Sequence, residues 1–250
     1  MILLRSSVYF VFLVLSIIAI GLPISIIGWV LPFSINSRLA NLWGRLNLFL
    51  LKWICNLDYR ITGLEHLEGG NAIILSKHQS AWETIALRSI IPHNQSWVLK
   101  RELMWIPVFG WALAVIGPIA INRKAGREAA KQVVDQGIER LKRGLFVIIF
   151  PEGTRVAPGE RKKYGIGGAL LAEKSGYPVI PVAHNAGVFW RRRDLKKYPG
   201  TIEVVIGPRI ETQGLSLKEI NQRVEEWIES TVEQLPGSIE KVEQVSTNSL

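Results

Sequence analysis

Hydrophobic and polar positions fall into three regimes along the chain. From Ser6 to Ser37 no residue is charged, and the run "VYFVFLVLSIIAIGLPISIIGWVL" lies inside that stretch. A bilayer crossing takes about 20 apolar residues, so this run is long enough. A cleaved leader would have a shorter apolar core, about 7–15 residues, ending at a small-x-small site. No convincing site of that kind follows, so the segment reads as a retained anchor. Gly21 and Pro23 are placed to kink it, which leaves a re-entrant path open beside a full crossing.

The second regime is "SRLANLWGRLNLFLLKWICN", where Arg38, Arg45 and Lys52 recur every seven residues among Leu, Trp, Phe and Ile. That spacing keeps the cations near one face and predicts a helix lying at a membrane interface. A core helix with one wet stripe is the alternative. Beyond Leu57 short apolar runs alternate with amphipathic stretches. The runs "YRITG", "AIILS", "SWVLK", "PIAIN", "LFVIIF", "PVIPVA" and "IEVVIG" predict strands. Ser80–Ile90, Arg127–Arg143, Ile166–Ser175 and Leu217–Gln234 predict helices.

The expected fold class is α/β. A mixed, mostly buried sheet of about seven strands carries flanking helices, behind an N-terminal hydrophobic helical membrane anchor. The expected division is membrane-anchoring helices at 1–57, the α/β domain at 58–235, and a polar, disordered tail at 236–250. Leu103 to Ile121 carries no charge and approaches spanning length, yet Pro107, Gly110, Gly117 and Pro118 interrupt it. It reads as broken domain segments with an apolar face, against the alternative of a second transmembrane helix.

Composition sharpens this picture. The 250 residues carry a formal charge of +9 and nine Trp. A basic, Trp-rich, apolar chain fits an anionic membrane surface better than nucleic acid, and no RRM or KH signature occurs. The basic domain is expected on the cytoplasmic side. The clusters "RKK" (Arg161–Lys163) and "RRRDLKK" (Arg191–Lys197) fit membrane adhesion, an acidic carrier, or plain solvated loops. Cys55 is the sole cysteine, which excludes an internal disulfide framework and a Cys-rich zinc site. The four histidines lack HExxH or HxH spacing, so no metal is expected.

Candidate chemistry begins at "AIILSKHQSAWET", where His78 follows an apolar run and Glu83 stands five residues on. On one continuous helix these side chains would point about 140° apart. With His78 in the loop before the helix, Glu83 can meet the imidazole, fix its tautomer and raise the basicity of the other nitrogen. The competing reading is structural, because Ser80-Ala81-Trp82-Glu83 fits a capping box. The two roles are compatible. No GxSxG elbow supplies a nucleophile, so a base here would act directly on a substrate hydroxyl. In "FPEGTR", Pro151 and Gly153 bracket Glu152 in a turn after a strand, and Arg155 offers a fork for phosphate. Lys100 and Arg123 also end apolar strands, and strand ends gather at one rim of an α/β sheet.

Four blocks in order, "KHQSAWET", "VLKRELMWIPVFGWALAVIGPIAINR", "FPEGTR" and "YPVIPVAHNAG", resemble the 1-acyl-glycerol-3-phosphate O-acyltransferases. The glycine-rich "YGIGGALLAEKSG" adds to the likeness, which runs from about Ala72 to Gly187. One position departs: the family's first block is usually His-x4-Asp, and here it is His-x4-Glu. The resemblance implies that His78 deprotonates the sn-2 hydroxyl of lysophosphatidate, with Glu83 orienting it. The hydroxyl then attacks the thioester of acyl-CoA or acyl carrier protein with no acyl-enzyme. It implies further that Lys100, Arg123 and Arg155 hold the acceptor phosphate, with Glu152, Gly153 and Thr154 in the same substrate loop. No cofactor is expected beyond the thioester co-substrate. His184 is expected to be structural. Another acceptor, such as a lyso-ornithine lipid, a non-catalytic binder of anionic lipid, and a membrane-tethered esterase stand as alternatives.

Overall fold

The computed structural model describes residues 1–91 and 94–237. Its centre is a seven-stranded sheet. The strands are β1 (Leu57–Thr62), β2 (Ile73–Ser76), β3 (Gln95–Lys100), β4 (Ile119–Ile121), β5 (Phe146–Ile149), β6 (Val179–His184) and β7 (Gly200–Ile206), in the order β1-β7-β6-β2-β5-β3-β4. Every neighbouring pair is parallel except β6 with β7. The expected mixed α/β sheet is therefore present, and each predicted run supplies one strand.

Both faces of the sheet are covered, which is why its central strands read as unbroken apolar runs. Ile74, Phe146 and Ile148 point to one side, where Trp82, Ile85 and Leu87 of α3 (Trp82–Ile90) and Leu48 and Leu51 of α2 (Phe33–Cys55) pack. Ile73, Leu75, Val147 and Ile149 point to the other. There Val133 of α5 (Arg127–Lys142), Leu171 of α6 (Gly167–Ser175), and Ile220 and Ile228 of α8 (Leu217–Gln234), which follows the short α7 (Ala186–Phe189), close the core. The alternation is the two-residue period of a strand.

The N-terminal helix α1 (Ile2–Ile27) forms a hairpin with α2. Its packing is inverted relative to a water-soluble helix. Ser6, Tyr9 and Ser16 face the protein, while Leu3, Phe10, Leu15, Ile18, Leu22 and Ile26 are exposed. Ser16 accepts hydrogen bonds from Trp43 Nε1 at 3.0 Å and Asn47 Nδ2 at 3.1 Å, tying the two helices together. An outer apolar face with polar contacts inside suits lipid rather than water. The 26 residues of α1 make it the one helix among the described residues that is long and apolar enough to cross a membrane. Pro23 lies within it and does not end it. On α2, Arg38, Arg45 and Lys52 are exposed alongside Leu42, Leu46, Phe49 and Trp53.

The uncharged stretch from Leu103 divides as its prolines and glycines dictate. A short 3₁₀ turn (Arg101–Trp105) precedes α4 (Phe109–Val115), which packs on α1, and β4 follows. Trp105, Ile106 and Trp111 remain exposed. The expected tail falls outside the described residues from position 238 onward, as does His93.

Candidate active site

The site forms where β2 and β5 end. β2 stops at Ser76, and residues 77–80 belong to no helix or strand before α3 begins at Trp82. His78 therefore stands in the loop and Glu83 in the first helical turn, the arrangement that lets them meet. His78 Nδ1 lies 2.8 Å from Glu83 Oε1. That same oxygen accepts from the backbone amides of Gln79 at 2.9 Å and Ser80 at 2.8 Å, and Oε2 accepts from Ser80 at 3.1 Å. Glu83 thus makes the reach-back half of the expected capping box while holding the histidine. The forward half is altered, because Ser80 Oγ accepts from the amide of Trp82 at 3.1 Å.

Glu83 is fully buried. Burial pushes its carboxyl up, but His184, the His78 hydrogen bond and charge, and the Ser80 amide outweigh it, leaving the group below its ordinary value. An ionised carboxylate takes the Nδ1 proton as a hydrogen bond and leaves the lone pair on Nε2. Nε2 has no partner among the described residues, and the side chain keeps 10% of its exposure. The ring stacks on Phe150, with centroids 4.1 Å apart.

The backbone around His78 is equally fixed. Its amide donates to Glu152 Oε2 at 2.7 Å and its carbonyl accepts from the Val156 amide at 2.8 Å. The preceding carbonyl, of Lys77, accepts from His184 Nε2 at 2.9 Å, while His184 Nδ1 accepts from the Ala186 amide at 3.3 Å. His184 is thereby committed to one neutral tautomer, and burial holds it below its ordinary value. It supports the loop from beneath, 4.0 Å from Glu83 Oε2.

The "FPEGTR" loop leaves β5 through a turn in which the Gly153 amide donates to the Phe150 carbonyl at 3.0 Å. Gly153 has φ +66°, a conformation that favours glycine. Glu152 turns inward and is buried, so it shapes the loop rather than lining an opening. Burial pushes its carboxyl up to about 7, against the pull of Lys77 and the His78 amide. Thr154 and Arg155 are half-buried. Arg123 donates to the Gly153 carbonyl, so the cation after β4 does reach this loop. Lys100 is exposed and pairs at 3.6 Å with Glu102. Arg123 thus reaches the loop that Arg155 ends, and Lys100 closes β3, the strand between β5 and β4, beside Ile121.

Sequence reasoning missed three participants: Lys77, Glu229 and Tyr164. Lys77 carries no motif of its own, and Glu229 lies far along the chain on the outer part of a helix pattern. The basic clusters also differ from a uniformly solvated loop. Lys197 is buried with its ammonium 4.5 Å from the Trp190 ring centroid, a cation–π contact. Arg161 pairs with Glu233. Among the described residues no three His, Cys, Asp or Glu side chains converge to hold a metal ion.

Comparisons with known proteins identify the family. A family model described as Acyltransferase matches residues 58–185. A 1-acyl-sn-glycerol-3-phosphate acyltransferase of Pseudomonas aeruginosa is 42% identical over 92% of this chain and 91% of its own length. The human 1-acyl-sn-glycerol-3-phosphate acyltransferase alpha is 25% identical over 70% of this chain and 63% of its own. The crystal structure of the 1-acyl-sn-glycerophosphate acyltransferase from Thermotoga maritima has the same fold, with a TM-score of 0.79 at 22% identity, covering 94% of this chain and 96% of that one. With a matched model over more than half its length and a relative this similar along nearly all of it, the chain belongs to the acyltransferase family.

Proposed function

We propose that this acyltransferase moves a fatty acyl group from a thioester donor, acyl-CoA or acyl carrier protein, to the sn-2 hydroxyl of lysophosphatidate, forming phosphatidate. The observation that carries the reading is the His78–Glu83 contact of 2.8 Å, made by a carboxylate already fixed by two backbone amides. The names of the relatives supply the acceptor.

In this mechanism His78 Nε2 takes the proton of the acceptor hydroxyl as its oxygen attacks the thioester carbonyl. Glu83 holds Nδ1–H and stabilises the imidazolium that forms. The tetrahedral centre collapses, the C–S bond breaks, and the imidazolium proton passes to the departing thiolate. No acyl group is carried on the protein. Arg123 and Arg155 beside the loop, with Lys100, clamp the acceptor phosphate; a guanidinium fork suits that planar, bidentate recognition. Alignment of acceptor and thioester by such clamps supplies much of the rate. The apolar outer face of α1 and α2, with Trp105 and Trp111, seats the protein in the cytoplasmic leaflet, where both lipid and soluble donor are available.

The test is thiol release by the detergent-purified chain given acyl-CoA, with and without lysophosphatidate, beside His78→Ala. Release that needs lysophosphatidate and vanishes in the variant supports the reading. Release without acceptor would make the protein a thioesterase. A silent wild type with both acyl-CoA and acyl carrier protein as donors would overturn the proposal for this acceptor.

A further inference from the structure

Lys77 and His78 are adjacent, yet they serve opposite faces of the sheet. His78 stacks on Phe150, on the side of α2 and α3. Lys77 points to the other side, where it is 1% exposed. Its Nζ lies 2.7 and 3.0 Å from the two oxygens of Glu229 on α8, and 2.8 Å from Glu152 Oε1. Tyr164, from the loop before α6, donates its hydroxyl to Glu229 Oε1 at 2.8 Å. Glu152 spans the two faces, since Oε1 meets Lys77 and Oε2 accepts from the His78 amide.

A buried cation between two buried carboxylates adds little to stability, because desolvation offsets the attraction. What such a cluster does supply is one defined geometry. We infer that Lys77, Glu229 and Tyr164 are positioning residues: α8, through Glu229, holds the Lys77 ammonium, which fixes Glu152 where it anchors the His78 backbone. This strut acts at the active site of the acyltransferase reading and rests on that reading for its kinetic consequence. Its structural consequence, a fixed His78 amide, does not.

The charges around Glu152 give the strut a sign. Lys77, following β2, favours the ionised carboxylate; Glu229 on α8 opposes it. Tyr164 faces Glu229, Arg123 after β4 donates to the neighbouring Gly153 carbonyl, and Glu83 of α3 and His184 of β6 lie on the far side of His78. Removing the Lys77 charge leaves two carboxylates together, so Glu152 takes a proton and the His78 amide loses an ionised acceptor. Removing the Glu229 charge favours the ionised Glu152 carboxylate, but it also frees the Lys77 ammonium from α8.

The experiment compares Lys77→Met, Glu229→Gln and Tyr164→Phe in the full detergent-purified chain. It reads kcat and KM for both substrates, the pH profile of kcat, and hydrogen–deuterium exchange of the peptide carrying the His78 amide. A misplaced catalytic group costs up to about 100-fold, so kcat in Lys77→Met should fall roughly 10- to 100-fold with both KM values unchanged. The acidic limb should move to higher pH in Lys77→Met and to lower pH in Glu229→Gln. Exchange at the His78 amide should quicken in Lys77→Met. Unmoved pH limbs, with activity tracking only the folded fraction, would reduce the cluster to a fold element and overturn the inference. Should Lys77→Met not fold, the near-isosteric Glu229→Gln and Tyr164→Phe decide it by the same readouts. A wild type without transferase activity would sink the functional reading alone; unchanged exchange in all variants would sink the strut.

Discussion

Replacing Glu83 by Gln keeps the size of the side chain and removes only its charge. In the resting enzyme the cost is modest, since an amide oxygen can still accept from the Gln79 and Ser80 backbones. In the proposed mechanism the charge matters when His78 becomes an imidazolium. At the 2.8 Å separation of Nδ1 and Oε1, two unit charges attract by roughly 6 kcal/mol at the effective dielectric near 20 that describes protein sites. If about half of that charge has developed in the transition state, the loss is about 3 kcal/mol. The expected fall in kcat therefore lies between about 10² and about 10⁴, at 1.36 kcal/mol per factor of ten. The assay is thiol release from acyl-CoA in detergent at saturating lysophosphatidate, with thermal melting alongside to compare folded fractions. KM for the donor should be unchanged, because Glu83 is buried beneath the histidine. Glu83→Asp keeps the charge and shortens the reach by one methylene, so it should retain more activity than Glu83→Gln. A Glu83→Gln enzyme within about fivefold of wild type would refute the argument, since that is less than the loss of even one charge-assisted hydrogen bond.

Other expectations can be checked with the same material. Arg155→Ala and Arg123→Gln should each raise KM for lysophosphatidate by about tenfold or more, the worth of a charge-assisted hydrogen bond, and leave the donor KM alone; steady-state titration of each substrate separates the two. Phe49→Asp on the exposed face of α2 should weaken partitioning onto anionic vesicles while leaving turnover of a micellar substrate intact, as read by vesicle flotation. Stability should depend on pH with opposite signs at two carboxylates. Glu83 lies below its ordinary value, so its contribution is present above its unfolded pKa and lost as pH falls through the folded one. Glu152 is raised from 4.5 to about 7, so its contribution is present below 4.5 and lost as pH rises through about 7. Glu152→Gln should therefore flatten the fall in Tm across that window, measured by differential scanning fluorimetry.

The strands were legible because each is buried on both faces and so appears as a bare apolar run between polar or glycine-rich breaks. Helices α5, α6 and α8 were legible to within a residue or so because their periodic stripes face a sheet. The His78–Glu83 contact was legible as well, once the histidine was placed before the helix rather than in it. What periodicity could not convey was which loop residues turn inward. Glu152 and Lys77 look like surface charges in sequence, and the structure buries both. Their partner Glu229 sits 152 positions from Lys77, beside the apolar stripe of an amphipathic helix, and only the closing of α8 over the sheet brings them together. Lys197 escaped for a related reason, since an aromatic wall from Tyr9 and Trp190 receives it and neither lies in its own cluster.

The same alternation explains why a short loop can serve both membrane and interior. Past the end of β2 at Ser76, the next two side chains leave on opposite sides of the sheet. His78 goes toward the face that carries the α1–α2 hairpin, whose exposed side chains are apolar. Lys77 goes toward α8 and Tyr164, deep in the opposite core. His78, the proposed base, is thus on the face of the exposed apolar hairpin, while Lys77 is buried in the opposite core. A one-residue insertion between Ser76 and His78 would exchange the two faces. It should abolish turnover even where the sheet survives, because the imidazole would then point at Glu229 and leave Glu83 without its partner.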